Sequence, residues 1–379
     1  MNESLTGRDP CSGESHNVHY ADGRITAITQ GPPDETSWLA PGLIDLQVNG
    51  YCGDDVNADE LTVDSIQNLA RRMLTIGVTT FLPTLITASE SKIIRNLRII
   101  AAARQADQLV MRMIPFVHIE GPHIAPEDGP RGAHPREDVR PPEIAEFMRW
   151  QANSGDLVGM VTLSPHYETA LEYIRALVAR GIHVSLGHSG AGADQIRAAV
   201  DAGARLSTHL GNGVASPVPR HPNLIWAQLA EDRLTATFIA DGRHLPADTL
   251  TVMLRAKTIQ RAILISDLVT LAGLPPGEYV TPVGGKVDLR ADGRLNVAGS
   301  SYLAGATAPL KDAVAYVAAN TGFSLGDALQ MATVNPGRFA GARGMLRAGA
   351  PADLLRFRWE EGSTTLVIED VIVQGARWQ

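Results

Sequence analysis

Ile114-Pro115-Phe116-Val117-His118-Ile119-Glu120-Gly121-Pro122-His123 decides how this chain of 379 residues is read. The first six residues are mostly apolar, the pattern of a buried strand. The run then stops at a carboxylate followed by Gly-Pro, which aims Glu120 at whatever lies beyond the strand end. Two later apolar runs stop in the same way, at His188 in Leu186-Gly187-His188-Ser189 and at His209 in Thr208-His209-Leu210. One Glu and two His make a metal-ligand set.

Around that stretch, strand-like and helix-like segments alternate. Candidate strands lie at residues 43–48, 79–82, 113–119, 158–163, 183–187, 206–210, 235–240 and 262–266. Between them, Val63–Ile76 carries Ile66, Leu69, Met73 and Ile76 at the spacing of an amphipathic helix, and Glu168–Arg180 carries Leu171, Ile174, Leu177 and Val178. Eight such units over roughly 230 residues predict an α/β (β/α)8 TIM barrel, whose parallel strands are near-continuously apolar. A doubly wound open sheet is the alternative, but no Gly-rich phosphate loop follows the first strand. After the eighth strand come a β segment near 283–297 and helices near 304–320 and 325–332.

The two ends read as β structure. Val18–Tyr20 and Ile25–Ile28 flank the turn dipeptide Asp22-Gly23. Residues 354–357, 365–368 and 371–373 have a matching character. Neither end can bury a core alone. Residues 1–40 and 341–379 are therefore expected to pair into a small β-sandwich domain, with a catalytic barrel at 41–340 inserted between them.

Composition sets limits. A net charge of −8 argues against nucleic acid as a bulk partner, and 44% hydrophobic residues is ordinary for a globular chain. Cys11 and Cys52 make no disulfide framework. The first residues carry no apolar run of signal-peptide length, and nothing approaches the ~20 apolar residues of a membrane span. A soluble, cytoplasmic protein is expected.

A barrel places its chemistry at the C-terminal strand ends. Glu120, His188, His209 and Asp267 close strands three, five, six and eight, so the fold converges them on one pocket. Three protein ligands leave open positions on a divalent ion, where a water molecule loses its proton near pH ~7. Asp267 is then the acid/base that takes a proton and later returns one. Metal-assisted hydrolysis of an amide or ester follows.

The chain here resembles the amidohydrolase superfamily and, within it, the N-acetylglucosamine-6-phosphate deacetylase family. The resemblance rests on Pro41-Gly42-Leu43-Ile44-Asp45-Leu46-Gln47-Val48-Asn49-Gly50, His118-Ile119-Glu120-Gly121-Pro122, Leu186-Gly187-His188-Ser189, Thr208-His209-Leu210-Gly211-Asn212, Ile239-Ala240-Asp241-Gly242-Arg243-His244, Ser266-Asp267 and the tail Gly349-Ala350-Pro351-Ala352-Asp353-Leu354. It implies Glu120, His188 and His209 as metal ligands and Asp267 as base, then acid. Most superfamily members carry His-x-His on strand one; Gln47 and Asn49 stand there instead, which implies one metal ion per chain. Zinc is the first choice, with iron, cobalt or manganese as alternatives. The resemblance further implies that His134 engages the scissile carbonyl and that Gln47, Asn212, Gly213 and His244 serve the substrate. Arg220 would bind a sugar phosphate, in the family often across a homodimer interface.

This chain departs from the family's loops at Gly211-Asn212-Gly213-Val214, at Arg220-His221-Pro222-Asn223 and at Leu268, all bordering the substrate. N-acetylglucosamine 6-phosphate is the first substrate. The alternative is a cyclic amidase or an N-acyl-amino-acid or N-acetyl-sugar hydrolase with the same metal site. A barrel used only as a scaffold would need none of the four strand-end residues. The roles of His123, His166, His221 and Cys52 stay open at this level.

Overall fold

In the computed structural model, which describes residues 3–215 and 217–378, eight parallel strands stand side by side in chain order. They are Leu43–Val48, Val78–Ile86, Val117–Glu120, Val158–Leu163, His183–Leu186, Leu206–Ser207, Thr235–Ile239 and Ala262–Ile265, called barrel strands one to eight below. Their residues are almost all buried, which is why most of them read as near-continuous apolar runs. The barrel's interior is filled from the strands themselves, by Ile44, Leu46, Leu82, Met160, Ile239 and Ile263. A larger core lies between strands and helices and contains Trp150, Phe81, Phe147 and Phe238.

Local chemistry sets the element ends. The helix Val63–Thr75 starts where the Thr62 side chain accepts from Ser65 N, and it buries Ile66, Leu69 and Met73. Barrel strand three is shorter than read. Met113 closes the helix Gln108–Met113, which Asp107 caps, so pairing begins only at Val117. Barrel strand six is only two residues long. The helix read at 168–180 is Ala170–Val178; it buries Tyr173, Ile174 and Leu177, while Val178 lies off that face. The helix read near 304–320 starts at Leu310, after Pro309, and Leu325–Ala332 runs as read.

Barrel strands one and eight meet beyond their ends. Asn49 N and Gly50 N both donate to Leu268 O, at 2.7 and 3.1 Å. The buried Asp45 Oδ1 accepts from Ser266 N at 3.2 Å. This closure draws Gln47, Asn49 and Asp267 to one side of the mouth.

The chain ends share one seven-stranded sheet. Its order is Ala376–Arg377, Val367–Val373, Leu354–Arg358, Trp38–Pro41, Glu3–Arg8, Ser15–Ala21 and Arg24–Gln30. Its core takes Leu5, Val18, Tyr20 and Leu39 from one end and Leu354 and Ile372 from the other. Glu3–Arg8 was not read as a strand, because only Leu5 and Gly7 of it are buried. A three-stranded meander, Gly277–Thr281, Gly285–Leu289 and Leu295–Val297, packs over the mouth through Val283, Val287 and Leu295. Among the described residues no helix is long and apolar enough to cross a membrane.

Candidate metal centre

The ends of barrel strands three, five and six bring three side chains onto one point. His188 Nε2 and His209 Nε2 lie 3.2 and 2.9 Å from the same oxygen, Glu120 Oε1. Ligand atoms around a tetrahedral ion with bonds of ~2.0–2.1 Å stand roughly 3.3 Å apart. His188 Nδ1 is 2.8 Å from Pro130 O, which only accepts, so Nδ1 carries a hydrogen and Nε2 is the nitrogen turned to Glu120. All three side chains are buried. Burial pushes the Glu120 carboxyl up, but the bonds from His188 and His209 hold it well below the usual range.

Backbone conformation aims these groups. His188, His209 and Asp267 have φ of +48°, +29° and +52°, in the left-handed region. That region costs non-glycine residues roughly 1–2 kcal/mol each and persists where the surroundings enforce it. Here it turns each side chain from the strand direction into the mouth.

Asp267 sits opposite the ligands. Its Oδ1 accepts from Asn49 Nδ2 at 2.8 Å and from Gln47 Nε2 at 3.0 Å. Burial, and then the charge of Glu120, push its pKa up to about 6. Gln47 also donates to Glu120 Oε2 at 3.1 Å. Its amide thus bridges two carboxylates. Gln47 is 2% exposed, and its amide braces the acid and the ligand.

His134 stands beside the ligands. Its Nδ1 is 2.8 Å from Thr87 Oγ1, and its ring centroid is 4.3 Å from that of His188. Burial, and then His188, push it down to about 3, so its ring is neutral. Glu120, His134 and His188 each offer a ligand atom within 4.8 Å of the others. His134 is therefore close enough to serve either an ion or a group bound to it.

These residues face a cavity of about 270 Å³ that Asn212, Gly213 and His244 also line. His244 Nδ1 is 2.8 Å from Asp241 Oδ2. Burial works against the Asp241 charge, but the His244 side chain holds its pKa down. Arg220 lies elsewhere: it is exposed, and among the described residues no Lys or Arg lines the cavity. His123 is buried against Trp150 and Tyr173, His166 bonds Ser164 Oγ, and His221 and Cys52 stand outside the lining.

Asn49, Thr87 and the segment Ser301-Tyr302-Leu303 were not assigned to the site from sequence. Asn49 carries a signal, since Asp45, Gln47 and Asn49 are polar at every second position of an apolar strand. Thr87 and Tyr302 carry none, being ordinary loop residues until the fold brings them to the mouth.

Comparison with known proteins matches this geometry. The amidohydrolase family model matches residues 38–377, and the chain belongs to that family. An N-acetylgalactosamine-6-phosphate deacetylase of Escherichia coli O157:H7 is 36% identical over 89% of this chain and 88% of its own. The human N-acetylglucosamine-6-phosphate deacetylase is also 36% identical, over 84% and 78%. Within the family the chain therefore falls in the N-acetylglucosamine-6-phosphate deacetylase group. An aspartate-to-alanine mutant of the Mycobacterium smegmatis N-acetyl-D-glucosamine-6-phosphate deacetylase, solved in complex with N-acetyl-D-glucosamine 6-phosphate, superposes with a TM-score of 0.85. It is 28% identical and is covered over 94% of its length by 96% of this chain.

Proposed function

We propose that this chain is a metal-dependent hydrolase that removes the acetyl group of an N-acetylated amino-sugar 6-phosphate. N-acetylglucosamine 6-phosphate is the first substrate to test. The observation that carries the reading is the convergence of Glu120, His188 and His209 on one point, with Asp267 held across from them. Those three side chains would hold one divalent ion, zinc in the first instance. When bound, the ion supplies Lewis acidity, activating water and polarising the acyl oxygen.

The chain's own residues do the rest. Asn49 and Gln47 occupy Asp267 Oδ1, which leaves Oδ2 to take the proton of the attacking water. In the tautomer in which the Thr87 hydroxyl donates to His134 Nδ1, 2.8 Å away, His134 Nε2 carries a hydrogen for the acyl oxygen. Asp267 then returns its proton to the nitrogen as the C–N bond breaks. Water has been split between the acetyl carbon and the amine, giving acetate and the free amino sugar. Asn212 and His244 bind the sugar.

Phosphate needs a cation, and among the described residues no Lys or Arg lines the cavity of a single chain. In a homodimer, Arg220 would enter the site of the neighbouring protomer; its planar fork suits phosphate. The chain would work in the cytoplasm, where phosphosugars are found. The test is a panel of N-acetylglucosamine and N-acetylgalactosamine, each with and without the 6-phosphate. The reading expects kcat/KM to rise by at least tenfold with the phosphate. Equal values with and without it would remove phosphate recognition, and no acetate from any of the four would remove the deacetylase reading.

A further inference from the structure

Beneath the ligands lies a row of polar side chains that the reaction does not use. His118, Thr162, Ser185 and Thr208 are all at most 4% exposed. Ser185 Oγ is 2.6 Å from Thr208 Oγ1, which is 2.7 Å from Thr162 Oγ1, which is 2.7 Å from His118 Nε2. His118 Nδ1 is 3.2 Å from Leu46 O.

The direction of the row follows from its fixed end. Leu46 O can only accept, so His118 Nδ1 carries the hydrogen and His118 Nε2 accepts. Thr162 must then donate to His118, Thr208 to Thr162, and Ser185 to Thr208. Each hydroxyl has one hydrogen, and each is used once.

The row crosses barrel strands one, three, four and five and reaches the end of strand six. Its members flank the functional groups: Leu46 precedes Gln47, His118 lies two residues before Glu120, Thr208 precedes His209, and Ser185 lies three before His188. Around the row the barrel interior holds Ile44, Leu46, Leu82, Met160, Ile239 and Ile263, with Thr84 Oγ1 3.5 Å from His118 Nδ1. Four buried polar groups are stable there only while all are paired, and each would cost ~1–3 kcal/mol if left without a partner. Packing alone does not call for them. Barrel strand six has only a two-residue ladder, and just beyond it Thr208 N donates to Leu186 O and His209 N to Thr237 Oγ1, so the Thr208 hydroxyl adds a side-chain tie at the point that carries His209.

We infer that the one-way row Ser185–Thr208–Thr162–His118 is a positioning device that sets the spacing of the Glu120, His188 and His209 strand ends for the ion. The inference rests on the metal-site reading above, and none of its four members is a ligand. Functional groups must be held within ~0.5 Å of their working geometry, which four linked strands do better than independent ones.

The test is Thr162→Val, which keeps the shape and removes the hydroxyl from the middle of the row. Wild type, Thr162→Val and Thr162→Ser are loaded with Co(II). The visible absorption spectrum is recorded, and Kd is measured by competition with a chelator. The valine variant should show a changed ligand-field spectrum and a Kd raised about tenfold, and the serine variant should restore both. A valine variant with the wild-type spectrum and a Kd within twofold overturns the inference, whatever its stability. Should Thr162→Val fail to fold, Ser185→Ala decides by the same two readouts, since it removes only the terminal donor. A wild-type protein that binds no Co(II) overturns the metal reading and this inference with it; binding unaffected by the variants overturns this inference alone.

Discussion

Replacing Gln47 with Leu tests whether the bridging amide holds the centre together. Gln47 Nε2 donates to Glu120 Oε2 at 3.1 Å and to Asp267 Oδ1 at 3.0 Å, both inside the protein. Hydrogen bonds to charged groups contribute ~1.5–3 kcal/mol each, so losing two costs about 3–6 kcal/mol. Leucine fills nearly the same space and admits no water in compensation. Among the described residues Gln47 is the only partner of Glu120 Oε2, so the ligand also loses its orienting contact, and such losses lower metal affinity by about 10–100-fold. Urea unfolding of the chelated protein reads the first effect, and chelator competition reads the second. An unfolding free energy within about 1 kcal/mol of wild type, together with an unchanged Kd, would refute the bridging role. Loss of substrate affinity alone would assign Gln47 to the substrate side.

Other outcomes follow from the same geometry. Asp267→Asn should lower kcat by roughly 10²–10⁴-fold while one metal ion stays bound, measured by acetate release and metal analysis. Mixing Arg220→Ala subunits with Asp267→Asn subunits should restore part of the activity if Arg220 serves its neighbour; no recovery under subunit exchange would confine Arg220 to its own chain. Burial raises the Asp45 carboxyl to about 7. Asp45 therefore keeps its proton in the folded state but not in the unfolded chain between about pH 4 and 7, and its own contribution to stability falls as pH rises through that window. Asp45→Asn should remove this contribution, read as a pH-dependent difference from the wild type in unfolding measured at several pH values. Chelation should lower the Tm of the wild type, by an amount that grows with the metal concentration it opposes.

The barrel was legible because parallel strands buried on both sides read as near-continuous apolar runs, and Glu120, His188, His209 and Asp267 each end one. Those residues stood out because a charge or imidazole is costly at such a place without a partner. The bracing was harder to read. Gln47 reads as a substrate residue, and a sequence does not show that its one amide meets two carboxylates, Glu120 and Asp267, from strands on either side of its own. Barrel strand three was read too long because Met113 is apolar enough for either a strand or the helix that claims it. Glu3–Arg8 was missed because its strand character comes from pairing with Ser15–Ala21, not from its own composition. Arg220 was placed by motif, and a motif does not specify which protomer's cavity an exposed loop serves.

The sheet built from both chain ends also has a consequence for the order of synthesis. Trp38–Pro41 hydrogen-bonds along Leu354–Phe357, which leaves the ribosome about 310 residues later. At translation rates of ~5–20 residues per second, that interval is roughly 15–60 s. During it, the growing chain carries an unpaired strand edge next to a barrel that is still being completed. Nascent chains stalled before Leu354 should therefore be open to proteases at residues 3–41 after the barrel itself has become resistant.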